Sequence, residues 1–424
     1  MSSFDYMLGA SFVLYVRFNS YRYIRDFHQM TALQQYGIVT ANYWAFTLTD
    51  GALRMLVLLF FYQQGYSPFE LAMLFVLYEF FGVVTNLVGG WFGAKLGLKV
   101  TMDLGLFLQI SALLMLAVNP DWLSIGFVMI AQAMSGIAKD LNKMSAKSSI
   151  KSLAVSPDGS ESKLYAWVAV LTGSKNTLKG VGFFLGAFLL ATVGFQDALY
   201  LLAGLLAVAL LVSMLFLDGQ IGKAKNKPKF SEIFSKSPAI NGLSAARFFL
   251  FGARDVWFVV ALPVYLASVL GWEHTEIGSF MALWIIGYGL IQASAPKLTG
   301  IKKGKLPTAT TAMLLAFGLA SIPTMMGLTL AYEPQWILLI GLVLFAIAFA
   351  LNSAVHSYLI VSYADADGTS KDVGFYYMAN AGGRLVGTLL SGYVYQVAGM
   401  EACLFVAAAF VLIAGSLVGK IDRN

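Results

Sequence analysis

The sequence predicts an all-α polytopic membrane protein whose twelve transmembrane helices form two pseudo-symmetric bundles of six. The chain is 58% hydrophobic and only 12% charged, and its mean hydropathy is +0.74. Apolar runs of about 20 residues, the length at which a helix spans a bilayer, recur along the chain. The longest basic link, residues 218–239, falls between the sixth and seventh runs. Composition and spacing together therefore predict two membrane bundles joined by a polar linker.

The distribution of Lys and Arg predicts the orientation of these spans. The predicted spans are 36–62, 71–93, 100–118, 122–144, 164–193, 197–217, 240–269, 275–296, 306–331, 335–361, 373–397 and 401–419. Links after odd-numbered spans carry no Lys or Arg, whereas links after even-numbered spans are basic, although the tenth has only Lys371. Basic loops stay in the cytoplasm. Both termini are therefore expected in the cytoplasm.

The domain organisation follows from the same pattern. Two bundles and a cytoplasmic tail are predicted at 36–217, 240–419 and 420–424. Residues 1–35 fit neither bundle, because their apolar run is too short to span and their arginines and tyrosines are typical of a surface-lying arm. Met30 stands just before the first span. We expect translation to start there, and a peptide from residues 1–29 in the native protein would refute this.

The two halves show a weak internal repeat. A glycine–aromatic pair, beginning at Gly65 or Gly271, precedes related stretches in the second and eighth spans. The fifth and eleventh spans align on the glycines that follow them, and Lys179 then falls opposite Arg384. Two parallel repeats with a site between them are typical of secondary transporters.

The fifth span carries two lysines near its middle. Lys175 lies eleven residues inside the span, a depth of roughly 16 Å in an apolar slab about 30 Å thick. Lys179 follows one turn later on the same helical face. A lysine at the bilayer centre costs about 2.5–3.5 kcal/mol. Two of them on one face are therefore expected to line a wet cavity that receives an anion.

Other basic residues also lie deep within predicted spans. Arg384 has no acid within two turns, and Arg254 diverges on its helix from the adjacent Asp255, so both arginines are expected to be unpaired. Lys139 is expected either to face the cavity or to belong to a basic helix end. Arg247 is expected to snorkel from near the cytoplasmic end of its span. The predicted substrate ligands are Lys175, Lys179, Arg254, Arg384, Lys139 and Arg54.

Acidic and neutral polar residues complete the predicted cavity. Asp50 and Arg54 are four residues apart, so they form an intrahelical ion pair or leave Arg54 to bind substrate. Glu79 is either a proton carrier or a structural partner for a lysine across the cavity, and we favour the structural role. The candidates for proton coupling or charge pairing are Asp50, Glu79 and Asp255. The expected polar cavity contacts are Asn86, Asn352 and His356, although a lone buried histidine is more often structural.

Composition argues against several functional classes. The single cysteine, Cys403, cannot form a disulfide framework or a thiolate metal cluster, and the three histidines are scattered. The sequence has no HExxH or Ser/His/Asp arrangement, and no link is long enough to form a catalytic or sensory domain. We therefore expect no metal, no cofactor and no enzymatic activity, and a monomer that binds no nucleic acid.

The first predicted cytoplasmic loop, GWFGAKLGLK at 90–99, resembles the signature loop of the major facilitator superfamily. Its glycines and both lysines match the family pattern. Ala94 stands where the family has an aspartate, so the salt-bridge latch ascribed to that aspartate is in doubt here. The glycine–proline motif of antiporters is also missing from 180–188. The resemblance, together with the twelve spans, implies the major facilitator fold.

Four stretches together resemble the ArsJ family of organoarsenical efflux permeases. They are NYWAFTLTDGALRMLVL at 42–58, LYEFFGVVTNLVGG at 77–90, SGIAKDLNKMS at 135–145 and ALWIIGYGLIQ at 282–292. The resemblance implies a protein of the bacterial inner membrane. It also implies export of 1-arseno-3-phosphoglycerate, made from arsenate by a partner glyceraldehyde-3-phosphate dehydrogenase, and hence arsenate resistance. The alternative is a major facilitator exporter of another phosphorylated or carboxylate metabolite, or of a drug.

Overall fold

A computed structural model describes residues 31–154, 161–217, 237–298, 307–363 and 369–421. Within these ranges the chain forms helices joined by short links, and no β-strand occurs there. The predicted all-α class is therefore confirmed. Four predictions fall on positions outside the described residues: the arm at 1–30, the linker at 218–236, the end of the tail at 422–424, and the side chains of the signature loop at 89–96.

The helices follow the predicted spans closely. Those of the first half are α1 (Ala32–Gln63), α2 (Pro68–Leu96), α3 (Leu98–Leu116), α4 (Ile125–Ala154), α5 (Glu161–Thr192) and α6 (Phe195–Phe216). Those of the second half are α7 (Pro238–Phe258), α8 (Ala261–Ser268), α9 (His274–Leu298), α10 (Ala309–Thr329), α11 (Pro334–Tyr363) and α12 (Thr369–Val418). Nine stretches of the described chain are long and apolar enough to cross a membrane. Helices α4 and α5, which carry Lys139 and Lys179, are not among these nine stretches. Helix α12 covers both the eleventh and the twelfth predicted spans.

The seventh span is broken, although the sequence predicts one helix over 240–269. Pro263 has no amide hydrogen, and its ring clashes with the carbonyl four residues earlier, so it favours a kink or break at this point. The Ser391 hydroxyl of α12 accepts hydrogen bonds from the backbone N–H groups of Val260 and Ala261, at 3.1 and 3.0 Å. A side chain from the neighbouring helix therefore satisfies the donors at the break.

Glycines in left-handed backbone conformation end or bend four helices. Gly65, Gly194, Gly271 and Gly399 have φ angles of 84°, 84°, 70° and 77°, which only glycine adopts without strain. The sequence repeat aligns Gly65 with Gly271, and Gly194 with Gly399. Matching conformations at matching positions support the internal repeat. Gly399 also produces the bend in α12 between the eleventh and twelfth predicted spans.

The two halves contact each other at the ends predicted to face outward. Gly392 of α12 lies against Phe69 of α2, and the Phe69 N–H donates to Gln396 Oε1 at 3.0 Å. The Gln63 side chain meets the His274 ring where α1 ends and α9 begins. These contacts join the two halves at this end of the bundle.

Candidate functional site

A chain of buried ion pairs joins the two halves. The Glu79 carboxylate on α2 is fully buried, and its Oε1 accepts from Arg54 Nη2 at 2.7 Å and from Arg384 Nη2 at 2.6 Å. Arg384 Nε also donates to Asp255 Oδ2 at 3.2 Å, and Arg254 Nε donates to Asp255 Oδ1 at 2.6 Å. Three guanidinium groups and two carboxylates from four helices therefore form one network, which carries a net positive charge.

Close helix packing brings Arg384 to Asp255. A Cβ added at Gly387 of α12 would lie 2.8 Å from the Asp255 Cβ and 2.7 Å from the Gly252 carbonyl oxygen. Gly383, one turn earlier, packs directly on the Phe248 backbone of α7. Because these two glycines have no side chains, α12 approaches α7 closely enough for the Arg384 guanidinium to reach the α7 carboxylate.

Two lysines of the first half lie beside aromatic rings. Lys179 Nζ is 5.5 Å from the Phe183 ring centroid, and Lys139 Nζ is 4.0 Å from that of Tyr78. Neither lysine has a carboxylate within ion-pair distance in the described part of the chain. The Tyr78 hydroxyl donates to Asp50 at 2.8 Å. Within the described residues, the close contacts of these two lysine side chains are therefore with aromatic rings and not with carboxylates.

A separate polar cluster connects α2 and α4. Lys143 Nζ lies 2.5 Å from Asp140 Oδ1 and 2.7 Å from Asn86 Oδ1. Thr85 donates to the other Asp140 oxygen at 3.0 Å. Lys143 and Asp140 thus neutralise each other, and Asn86 binds this pair. Lys175 lies half-buried on the turn of α5 before Lys179.

The second half holds a buried arginine with neutral partners. Arg247 of α7 donates to Asn380 Oδ1 at 3.0 Å, and to the Ser353 hydroxyl and carbonyl oxygens at 3.1 and 3.2 Å. Asn352 and His356, on the adjacent turns of α11, are also buried. Both amide atoms of Asn352 and the Nδ1 atom of His356 have no hydrogen-bond partner among the described residues.

Taken together, the clusters described above contain more basic than acidic side chains. Its basic side chains are Arg54, Lys139, Lys143, Lys179, Arg247, Arg254 and Arg384, and its carboxylates are Asp50, Glu79, Asp140 and Asp255. Seven basic side chains against four carboxylates leave an excess of three basic groups among these described residues. Uncompensated buried charge is costly, so the arrangement favours an anionic ligand.

Two predictions about charge pairing are wrong. Arg254 and Arg384 are paired. Asp255 forms ion pairs with both arginines, and Glu79 of α2 forms a further ion pair with Arg384. For Arg54, one of the two alternatives is excluded in this structure, because Arg54 pairs with Glu79 and not with Asp50. Arg54 still lies within the network that any bound anion would meet.

Sequence reasoning also misplaced one residue and overlooked another. Arg247 is only 4% exposed and does not snorkel to a helix end. It precedes Arg254 by seven residues, two helical turns, and this spacing places both on one face. Tyr78 adjoins Glu79 in sequence, yet a tyrosine in an aromatic-rich span gives no distinct signal. Glu79 has the favoured structural role in this structure, although its partners are arginines and not a lysine.

Comparisons with known proteins agree with this architecture. The model of the Major Facilitator Superfamily matches residues 39–328 and 243–421. No curated protein sequence matches the chain. A structure of a POT family transporter with 5-aminolevulinic acid is 13% identical, with a TM-score of 0.74 over 92% of this chain and 96% of that one.

Two further solved structures share the fold. The human organic anion transporter MFSD10 (TETRAN) is 15% identical, with a TM-score of 0.61 over 92% of this chain and 100% of that chain. A mutant form of the nucleoside transporter NupG is 15% identical, with a TM-score of 0.68 over 92% of this chain and 99% of that chain. At these identities the likeness concerns the fold, and it confirms the major facilitator architecture predicted from the spans.

Proposed function

This chain belongs to the major facilitator superfamily, and we propose that it exports a small organic anion from the bacterial cytoplasm by alternating access. The family and the structural neighbours are transporters of small substrates and not enzymes. The observation that carries the anionic substrate is the excess of buried positive charge at the junction of the two halves. Guanidinium and ammonium groups suit oxyanions such as phosphate, arsenate and carboxylate.

The substrate that we propose is 1-arseno-3-phosphoglycerate, supplied by a partner glyceraldehyde-3-phosphate dehydrogenase. The four stretches that resemble the ArsJ family support this choice. The ester is small and multiply negative, so it calls for Lys and Arg rather than the thiols that would bind trivalent arsenic. Cys403 is the only cysteine, and it is buried. Outside the cell the ester decomposes, so the two proteins together remove arsenate.

Alternating access requires that substrate binding change the contacts between the halves. The ion pair between Glu79 of α2 and Arg384 of α12 joins the two halves. An oxyanion that binds Arg384 competes with Glu79 for the same guanidinium hydrogens. We propose that this competition weakens the link between the halves and allows the outer end to open.

Export coupled to protons would use the same carboxylates. Glu79 and Asp255 are fully buried and depend on arginines for their charge compensation. A carboxylate whose arginine turns to the substrate would become a proton acceptor. Asp50, hydrogen-bonded to Tyr78, is the third candidate. Lys179, Lys139, Arg54, Arg254 and Arg384 would contact the substrate.

Growth on arsenate tests the proposed function. The chain is expressed in an arsenate-sensitive bacterium with and without a co-expressed glyceraldehyde-3-phosphate dehydrogenase, and retained cellular arsenic is measured. We expect resistance and low cellular arsenic only when both proteins are present, because the dehydrogenase makes the exported ester. No effect in either strain, with the chain present in the membrane, would contradict the arsenical substrate and leave an exporter of another anionic metabolite.

A further inference from the structure

The buried Arg247 of α7 has no acidic partner in the described part of the chain, in contrast to Arg54, Arg254 and Arg384. It is 4% exposed, more buried than Arg54 at 8%, yet Arg54 pairs with Glu79. The hydrogen bonds of Arg247 use Nε and Nη1, and none of the described residues accepts from Nη2. A buried arginine whose polar partners are all neutral keeps its full charge to offer to an anion.

The surroundings of Arg247 fix the guanidinium plane. Its Cζ lies 4.0 Å from the Phe251 ring centroid and 5.1 Å from that of Tyr376. Ser353 and Asn380 hold the Nε and Nη1 edges. A guanidinium that is held on two sides, with further N–H groups left over, is arranged to bind an oxyanion through those groups.

Orphaned polar atoms lie on the same stretch of α11. Asn352 adjoins Ser353 in sequence, and His356 follows Ser353 by one helical turn. The Asn352 amide and His356 Nδ1 are buried without partners among the described residues. Buried polar atoms of this kind are normally satisfied, so each requires a partner such as a ligand or water.

Hydrogen bonds link this cluster to the other half of the protein. Gln292 of α9 donates to Ser353 Oγ at 3.4 Å, and Asn176 of α5 donates to Gln292 Oε1 at 3.3 Å. Asn176 precedes Lys179 by one turn. A continuous polar path therefore runs from Arg247 across the interface to the Lys179 helix. Within α7, the Phe251 ring contacts the guanidinium groups of both Arg247 and Arg254.

We propose that Arg247, with Ser353 and Asn380, forms a second anion subsite, so that the transporter selects substrates with an anionic group at each end. The inference rests on the proposed function and deepens it. One anionic group binds at Lys179 and the central arginines, and the other binds Arg247 Nη2. A substrate held in this way contacts both halves at once and couples its binding to their relative movement.

Binding to the full-length chain in lipid nanodiscs tests the subsite with two probes that differ by one phosphate. Wild-type protein is expected to bind propane-1,3-diyl bisphosphate at least about tenfold more tightly than propyl phosphate, since a charge-assisted contact contributes about that factor. Arg247→Gln is expected to reduce bisphosphate affinity to roughly that of propyl phosphate. Its affinity for propyl phosphate should change by less than about threefold, because the Lys179 subsite remains.

Asn380→Ala provides a second variant that retains the Arg247 charge and frees only its Nε edge. We expect a smaller loss, about three- to tenfold, confined to the bisphosphate. Undiminished preference for the bisphosphate in Arg247→Gln would overturn the second subsite and leave the proposed function intact. Equal loss of both probes in that variant would also overturn it. Failure of wild-type protein to bind either probe would contradict the anion transporter itself.

Discussion

Glu79→Gln is expected to lower the free energy of unfolding by about 3–5 kcal/mol, the usual cost of leaving a buried charge without its partner. Glu79 compensates Arg54 and Arg384 at once, at 2.7 and 2.6 Å. Glutamine keeps the size and an acceptor oxygen but removes the charge, so two buried guanidinium groups lose their shared counter-ion. Thermal unfolding can be followed with a thiol-reactive fluorophore, because Cys403 is the only cysteine and is buried.

Two further variants separate this effect from a general sensitivity to mutation. Glu333→Gln removes an exposed carboxylate at a link and is expected to change the free energy of unfolding by less than about 0.5 kcal/mol. The double variant of Glu79→Gln with Arg384→Gln removes one charge of each sign and should regain part of the lost stability. A loss for Glu79→Gln no larger than that for Glu333→Gln would show that the ion network does not stabilise the fold.

Lys179→Ala is expected to abolish arsenic export without lowering the amount of protein in the membrane. The contact of Lys179 is with the Phe183 ring, and no described carboxylate lies within ion-pair distance, so its removal leaves no buried anion unpaired. A hydrogen bond to a charged group contributes about 1.5–3 kcal/mol, which corresponds to roughly 10- to 150-fold in transport efficiency. Retained cellular arsenic, measured with the dehydrogenase co-expressed, gives the export rate.

The control for Lys179 is a lysine on the surface. Lys420→Ala removes an exposed lysine after α12 and should leave export unchanged. Lys179→Arg keeps the charge and should retain part of the activity. If Lys179→Ala exported arsenic as wild-type protein does, Lys179 would not belong to the substrate site.

The depth of the charges could be predicted from the sequence, but their partners could not. Counting residues along the apolar spans places Lys179 and Arg384 far from the helix ends, and the structure keeps both within the bundle. One partner of Arg384, Glu79, lies 305 residues away in the sequence. No spacing rule along one helix reveals such a contact, because it depends on how α2 and α12 pack.

The backbone also shows some features that the sequence predicts and others that only the structure reveals. The sequence repeat aligns Gly194 with Gly399, and the two glycines have similar φ angles, 84° and 77°. The break in the seventh span has a local cause in Pro263, whereas the hydroxyl that satisfies it, from Ser391, comes from a helix far along the chain. Local chemistry can therefore be predicted from the sequence, and contacts between distant helices require the structure.

Uptake by inside-out membrane vesicles tests the central claim most directly. Arsenate, glyceraldehyde 3-phosphate, NAD and the dehydrogenase are supplied outside the vesicles, on the side predicted to be cytoplasmic, and arsenic inside is measured over time. Arsenic is expected to accumulate only when the chain and every component are present, because only the ester is carried and it decomposes to arsenate in the lumen. Accumulation equal to that of vesicles lacking the chain would contradict export of the arsenoester.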